Sequence, residues 1–188
     1  MKTKSKALLL VASAILLVAA TVVTTMAFLT DTDVVENTFT VGKVDITLDE
    51  VLVDEYGVPS SAVDRVQENE YKLIPGHEYT KDPTIHVSDT SEDCWVFAKI
   101  ETALGSSAIL DIDLTKWTQV DGEVDSNAVY AYNEIQSGGA DVTVFTKVTF
   151  SSAVDPQQFN GKQINVTAYA IQADGFDTAA KAWTEAKS

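Results

Sequence analysis

The segment Ile164–Gln172, INVTAYAIQ, decides the fold class of this chain. Its side chains fall into two alternating sets: Ile164, Val166, Ala168, Ala170 and Gln172 in one, and Asn165, Thr167, Tyr169 and Ile171 in the other. Successive side chains of a β-strand point to opposite faces of the sheet, so a period of two residues is the signature of a strand. The pattern predicts one long strand near the C-terminal end of the chain.

Further segments with the same alternation, or with continuous apolar sequence, predict more strands. They are Val44–Leu48, Tyr79–Val87, Trp95–Ile100, Leu110–Leu114, Val129–Tyr132 and Val142–Phe150. Trp95–Ile100 is apolar on both faces and is predicted to be a central strand, and Val142–Phe150 is predicted to be one continuous strand. Pro83 cannot donate a backbone hydrogen bond, which predicts either an edge position or a break within Tyr79–Val87.

Many short strands without alternating helices predict an all-β fold, in the form of a jelly-roll-like antiparallel β-sandwich. Only the C-terminal tail has helical character. Asp177 is predicted to cap a short helix over Thr178–Ala186, which would pack Trp183 over the end of the sheets. The acidic stretch 53–70 is predicted to be a loop or insertion, and residues 28–188 are predicted to form a single domain.

The N-terminus has the three parts of a secretory signal peptide. A basic start is followed by the uncharged apolar run Ala7–Val23, and the small residue Ala27 then precedes Phe28. The basic residues are Lys2, Lys4 and Lys6. We expect residues 1–27 to be a signal helix that a signal peptidase removes between Ala27 and Phe28, because a polar, acidic stretch follows at once. The alternative is a retained membrane anchor, since the apolar run is barely long enough to span a bilayer.

The charge of the chain restricts its partners. The net charge is −15, and removing residues 1–27 changes it to −18 because that segment carries three lysines and no acid. Proteins bind nucleic acid by neutralising phosphates with lysine and arginine, so such a surface argues against nucleic acid as a partner. It also repels anionic lipid, which leaves the uncleaved signal as the only expected contact with a membrane. Strong acidity is typical of a soluble extracellular protein.

The single cysteine, Cys94, excludes an intramolecular disulfide framework, so the domain must be stabilised by its core. Its neighbours are apolar on one side and acidic on the other, which predicts a buried, unreactive thiol. The aromatic residues within the predicted strands are likewise predicted to pack in the core rather than to form a sugar-binding platform. They are Trp95, Phe97, Tyr130, Tyr132, Phe145 and Phe150.

The sequence contains no recognised catalytic motif. The candidate zinc ligands are His77 and His86, with Glu78 as the catalytic carboxylate if the protein is a metallopeptidase. The two histidines are nine residues apart, and on one regular strand they would face opposite sides of the sheet, which favours surface or structural roles. No cofactor is expected, and zinc or calcium is the alternative.

Short acidic clusters are the candidates for calcium. They are Asp31 with Asp33, Asp111 with Asp113, and Asp121 with Glu123 and Asp125. Calcium takes six to eight oxygen ligands, which requires more than one short cluster, and none of the three matches the twelve-residue EF-hand loop. The pattern therefore favours solvated acidic faces.

Three segments together resemble the TasA/camelysin family of Gram-positive surface proteins, which are exported through a dedicated signal peptidase. They are Ala27–Leu48 (AFLTDTDVVENTFTVGKVDITL), Leu73–Glu101 (LIPGHEYTKDPTIHVSDTSEDCWVFAKIE) and Ala168–Trp183 (AYAIQADGFDTAAKAW). The middle region departs from the fibre-forming prototype. The resemblance implies a jelly-roll sandwich that polymerises into extracellular fibres, at the surface or in the biofilm matrix of a Gram-positive bacterium, with other matrix or surface proteins as partners. It also implies a competing activity, because camelysins are described as casein-cleaving metalloendopeptidases.

The fibre hypothesis has a physical route through the segment Phe28–Val41. Cleavage would free this segment as an extended arm with four apolar residues, Val34, Val35, Phe39 and Val41. Inserting the arm into an open sheet edge of the next subunit would be strand addition, a head-to-tail contact that propagates without closing. The alternative is that these residues form the first strand of their own domain. A structural fibre subunit is therefore the first functional hypothesis, with a secreted metalloendopeptidase and a monomeric surface adhesin or accessory protein as alternatives.

Overall fold

The computed structural model describes residues 43–61 and 64–187, and this part of the chain is all-β with one short C-terminal helix. The prediction of the fold class is confirmed at this level. The strands are β1 (Ile46–Val51), β2 (Arg65–Val66), β3 (Glu78–Thr80), β4 (Thr84–Val87), β5 (Cys94–Thr102), β6 (Ala108–Leu110), β7 (Trp117–Asp121), β8 (Asn127–Tyr132), β9 (Asp141–Thr143), β10 (Lys147–Phe150) and β11 (Ile164–Gln172). The helix, α1, spans Ala179–Ala186.

The described strands form three antiparallel sheets. Sheet I has the strand order β2-β1-β4-β9, sheet II the order β3-β10-β6, and sheet III the order β11-β5-β8-β7. Neighbours within each sheet are rarely consecutive in the chain, so most of the pairing joins residues that are distant in sequence. The connections therefore carry the chain repeatedly from one sheet to another.

Strand β5 is the centre of sheet III. It pairs with β11 over nine consecutive positions, from Ile164 opposite Thr102 to Gln172 opposite Cys94. Its other edge pairs with β8. Both predictions for these segments are confirmed: Ile164–Gln172 is one long strand, and the strand built on Trp95–Ile100 is central.

Sheet III contributes side chains to a hydrophobic cluster on each of its faces. On one face, its side chains join those of sheets I and II in the main core, whose largest fully buried members are Trp117, Tyr79, Ile85 and Ile100. On the other face, a smaller cluster lies beneath the helix and contains Trp95, Phe97, Val129, Ala131, Ala173 and Ala182. The alternation of β5 explains both clusters, because Val96 and Ala98 point into the first while Trp95 and Phe97 point into the second.

Helix α1 is capped at its N-terminus and is bound to the outer face of sheet III through Trp183 near its C-terminus. Thr178 caps the N-terminus by accepting a hydrogen bond from the backbone N–H of Lys181, so the prediction that Asp177 is the cap is wrong. Asp177 instead pairs with Lys181 one turn later. Near the C-terminus, the Trp183 ring lies 5.2 Å from the Phe97 ring, and its indole N–H donates to Asp121 at 3.0 Å.

The segment Val142–Phe150 is two strands rather than one. β9 pairs with β4 in sheet I, whereas β10 pairs with β3 and β6 in sheet II, and the chain crosses between the sheets at residues 144–146. The apolar residues of both halves still reach the main core, namely Val142, Val144, Val148 and Phe150. The alternation therefore reported burial correctly but not strand continuity, because two short strands can present the same pattern to one core.

Two other predicted strands differ from the structure. The prediction of a strand over Leu110–Leu114 is wrong beyond its first residue: β6 spans Ala108–Leu110, and after it the Asp111 carboxylate accepts the backbone N–H groups of Thr146 and Lys147. The segment Tyr79–Val87 is broken into β3 and β4 at Pro83, as the proline predicted. β4 is nevertheless an internal strand, so the edge alternative for Pro83 is wrong.

A buried ion pair orders the segment that leads into and out of β2. Glu50 of β1 is 4% exposed and pairs with the ammonium of Lys81. Asn69 donates to Glu50 and to the carbonyl of Val51, and its own amide oxygen accepts from the N–H of Val53. Since a buried charge is stable only when paired and hydrogen-bonded, this group fixes the described part of the stretch 53–70 against β1.

Cys94 is fully buried, and burial together with the charge of Asp93 raises the pKa of its thiol. The prediction of a buried thiol is confirmed. Within the described ranges, the helical segment is neither long nor apolar enough for a membrane crossing.

The second core cluster generates a stability prediction. Phe97 is 0% exposed and lies between the sheet and Trp183, so Phe97→Ala should lower the free energy of unfolding by about 3–5 kcal/mol through lost burial and the cavity left behind. Urea denaturation monitored by circular dichroism measures the change. Ile109→Ala, at a strand position that is 64% exposed, is the matched control and should stay within about 0.5 kcal/mol. Equal losses in the two variants would contradict the assignment of this cluster.

Candidate functional site

The two candidate zinc histidines lie in different sheets. His77 directly precedes β3 of sheet II, where its Nε2 lies 3.0 Å from the carbonyl oxygen of Tyr56 and its ring packs against Tyr79. His86 lies in β4 of sheet I. Glu78, the candidate catalytic carboxylate, forms an ion pair with Lys147 at 2.7 Å. The structure therefore does not bring these three residues into one site, and no group of three potential ligands is positioned for a metal ion among the residues it describes.

His86 is instead the centre of a charge network on sheet I. Its Nδ1 lies 2.6 Å from Asp141 of β9, and its Nε2 lies 2.8 Å from Asp49 of β1. Asp49 also pairs with Arg65 of β2, whose guanidinium reaches Asp82 at 3.1 Å. The network thus joins all four strands of sheet I through their side chains.

The pKa of His86 is raised by this arrangement. Burial alone lowers the pKa of the imidazole, but the hydrogen bonds and negative charges of Asp49 and Asp141 more than offset that effect. For Asp49 the opposite balance holds: burial raises its pKa, and the hydrogen bonds and charges of Arg65 and His86 lower it further than burial raises it. Both shifts favour the charged pair, so protonated His86 links β4 to its neighbours on either side.

The described acidic clusters are engaged in hydrogen bonds within the protein. Asp111 accepts from the backbone of Thr146 and Lys147 and from the Thr146 hydroxyl; burial raises its pKa, and these bonds lower it by more. Asp113 accepts from Thr115 in a local turn. The pKa of Asp121 is lowered to about 2 by its hydrogen bonds from Lys187, Trp183 and Gly122. Their geometry accounts for turns and a helix anchor, and Asp31 and Asp33 lie outside the described residues.

The most distinctive feature of sheet III is the outer edge of β11. One edge of this strand pairs with β5 along its whole length, and the other edge has no strand partner among the described residues. The side chains that β11 directs to the core are only partly buried although they pack against it, namely Ile164, Val166, Ala168 and Ala170. A nine-residue row of backbone groups and an incompletely covered apolar row therefore lie side by side.

Strand β1 of sheet I lies close to β11. Its Cα atoms approach those of β11 within 8 Å, yet no hydrogen-bond ladder joins the two strands. β2 covers only Glu50 and Val51 on that side of β1, so the positions from Ile46 to Leu48 lack a strand partner there within the described part of the chain. Val44, Ile46 and Leu48 are again only partly buried against the main core. We call the region where β1 and β11 approach each other without a ladder the edge cleft.

The residues predicted to fill an edge lie outside the described ranges. These are the cleavage pair Ala27 and Phe28 and the arm residues Val34, Val35, Phe39 and Val41. Their roles remain predictions. The strands that border the edge cleft, β1 and β11, are by contrast among the described residues.

In comparisons with known proteins, no protein-family model, no curated protein and no solved structure matches the chain.

The sequence analysis missed the charge network and the position of the edge cleft. The network joins residues that are 16 to 55 positions apart, so no local spacing reveals it. The only available signal was that Arg65 is the single arginine in an acidic chain, which makes it a candidate for a specific pairing.

The His86 network generates a prediction of pH dependence. Because the folded-state pKa of His86 lies above the unfolded value of about 6.5, its stabilising effect is fully present below that pH and is lost as the pH rises through the folded pKa. The difference in unfolding free energy between wild type and His86→Asn should therefore be largest near about pH 6 and should shrink towards about pH 9. Urea titrations across this range measure it.

Asp141→Asn is the matched background for this experiment, because it removes one of the two carboxylates that contact His86. In that background the pH-dependent part of the His86→Asn effect should be smaller. A stability difference that is constant across the pH range would contradict the role of the network.

Proposed function

We propose that the chain is a secreted structural subunit of extracellular surface or biofilm-matrix fibres, which assembles head-to-tail by strand addition after removal of residues 1–27. In this proposal the three sheets form a jelly-roll-like sandwich with one incomplete edge. The segment that follows Ala27 is the donor strand, and the edge cleft of the next subunit is the acceptor.

The observation that carries the proposal is that β11 has an edge without a strand partner among the described residues, close to a part of β1 that also lacks one there. Exposed strand edges are templates for pairing with another chain, and proteins ordinarily protect them by charge, bulges or covering elements. Here the edge runs for nine residues and is accompanied by partly buried apolar side chains on both bordering strands. A further strand would satisfy the backbone groups and complete the burial at the same time.

The arm has the sequence pattern that such a position requires. Val35, Phe39 and Val41 are all at odd positions and would share one face of an extended strand, whereas Val34 would point to the other face. If the arm pairs with β11, the side chains of Val35, Phe39 and Val41 would lie beside the apolar row that contains Val166 and Ala168. Specificity in strand addition comes from such alternate side chains, and affinity comes from the backbone hydrogen bonds.

The direction of assembly follows from the two surfaces being different. An arm that inserts into a cleft of the next molecule leaves its own cleft free for a third molecule, so the contact is heterologous and continues without closing. Before cleavage, the arm is tethered to the membrane by the apolar run of residues 7–23 and cannot be donated. Proteolysis between Ala27 and Phe28 is therefore the switch that starts polymerisation.

Charge substitutions in the arm test this proposal through strand parity. In the cleaved protein beginning at Phe28, Phe39→Asp or Val35→Asp would place a carboxylate in the apolar row, so fibres should be lost in negative-stain electron micrographs at high protein concentration. Val34→Asp, on the opposite face, is the matched control and should retain fibres. Deleting residues 28–37 should leave monomers.

Three results would contradict the proposal. Cleaved wild-type protein that remains monomeric would favour a surface adhesin or accessory protein. Unchanged fibres after deletion of residues 28–37 would exclude the arm as the donor. Monomers that unfold at lower urea concentration after the deletion, together with monomeric wild type, would show that the segment is the first strand of its own domain.

Proteolysis of casein separates this proposal from the metalloendopeptidase alternative. Because His77, Glu78 and His86 are not brought together, we expect purified protein to leave casein intact with or without a chelator. Casein cleavage followed by gel electrophoresis is the measurement. Chelator-sensitive cleavage that disappears in both His77→Ala and His86→Ala would establish the enzyme instead.

A further inference from the structure

A groove of about 470 Å³ lies between helix α1 and the outer face of sheet III. Its position follows from the length of the helix, which covers Trp95 and Phe97 but leaves the next rows of the sheet open. Its wall on the helix side is Trp183, and its wall on the strand side is Tyr169 of β11. This volume is in the range of small-molecule sites in proteins.

In the aromatic walls of the groove, the exposed ring is Tyr169, and the ring of Trp183 packs against it and supports it. Asn165 and Thr167 on the same face of β11 are exposed, and Tyr169 is 38% exposed as well although it is a large aromatic residue. The Trp183 ring meets it nearly edge-on, with ring centroids 5.4 Å apart. Asp121 holds Trp183 in place by accepting its indole N–H, so the support is itself anchored to β7. The Tyr169 ring is thus held in position while part of its surface remains open to a ligand.

The polar groups of the groove offer donors and acceptors without excess charge. Lys99 in the floor pairs with Glu101 at 2.7 Å, and Lys187 at the rim pairs with Asp121. Asn127 adds an amide beside them. Each ammonium is balanced by a carboxylate, so the groove is locally neutral in a protein that carries a net charge of −15.

We propose that this groove binds a neutral saccharide. A pyranose ring has an apolar C–H face that packs on an aromatic ring, and its hydroxyl groups both donate and accept hydrogen bonds. The exposed Tyr169 ring matches the first property, and Lys99 and Asn127 in the lining of the groove match the second. Tyr169 lies opposite Phe97 in the β5–β11 ladder, and Lys99 is two residues further along β5 on the same face.

The same observations argue against other classes of ligand. An anionic polymer would gain little from lysines that are already paired and would be repelled by the net charge of the protein. A lipid tail requires an enclosed, mostly apolar cavity, whereas this groove is open and its floor carries charged groups. This binding site is independent of strand addition, since Tyr169 points away from the core-facing row of β11.

The test is direct titration of the protein, purified from cells expressing the full chain, with neutral and acidic oligosaccharides. The neutral probes are hexasaccharides of glucose, galactose and N-acetylglucosamine, and the acidic probe is a hexagalacturonate. Isothermal calorimetry gives the affinity, and tryptophan fluorescence reports on Trp183 because Trp95 and Trp117 are buried. At least one neutral probe should bind, with a change in emission, and should bind more tightly than the acidic probe.

Tyr169→Ala should weaken binding by about tenfold or more, through loss of the stacking platform. Tyr56→Ala is the matched control, since Tyr56 is 40% exposed but lies away from the groove, and it should bind like the wild type. Lys99→Gln keeps a hydrogen-bond donor and should therefore bind the neutral probe more tightly than Lys99→Met does. The proposal is overturned by absence of binding to every neutral probe, by tighter binding of hexagalacturonate, or by equal effects of the two tyrosine substitutions.

Discussion

The structure depends on strand β5, which is paired on both edges and buried on both faces. Its long ladder with β11 and its second ladder with β8 leave none of its central backbone groups to water. Its alternate side chains then supply two separate cores, one shared with sheets I and II and one under helix α1. Because a disulfide framework is absent, this double burial is the main source of cohesion, and the surrounding elements are placed by reference to it.

Charged side chains keep the protein solvated, and some of them also join strands and loops to one another through ion pairs. The protein has 28 acidic residues and 13 lysines and arginines, and among the described residues seven of these cations pair with acids. Arg65 joins two aspartates and Lys81 neutralises the buried Glu50, so the chain between β1 and β3 is bound to sheet I by polar contacts. Breaking one partner of a buried pair leaves an uncompensated charge, which is why these contacts are specific although surface ion pairs contribute little.

Both proposed functional surfaces lie on β11, the last strand on one side of sheet III among the described residues. As an edge strand, it leaves one row of backbone groups and a partly covered core row, which is the acceptor in the proposed assembly. Its other face carries Tyr169 beside a helix too short to cover the sheet, which forms the proposed saccharide groove. A single peripheral strand can therefore present one surface to a neighbouring subunit and another to a component of the surroundings, without either site disturbing β5.

The sequence by itself determined strands β5, β8 and β11 of sheet III, the burial of Cys94 and the short C-terminal helix, because alternation, apolar runs and helical spacing are local properties. It also set the net charge. It gave no prediction of β7, the fourth strand of that sheet. Only the tertiary structure decided that Val142–Phe150 divides between two sheets, that His86 lies between Asp49 and Asp141, and that β11 lies close to β1. These features arise from pairing between residues far apart in the chain, where a pattern of period two reports which side chains are buried but not which strand lies beside them.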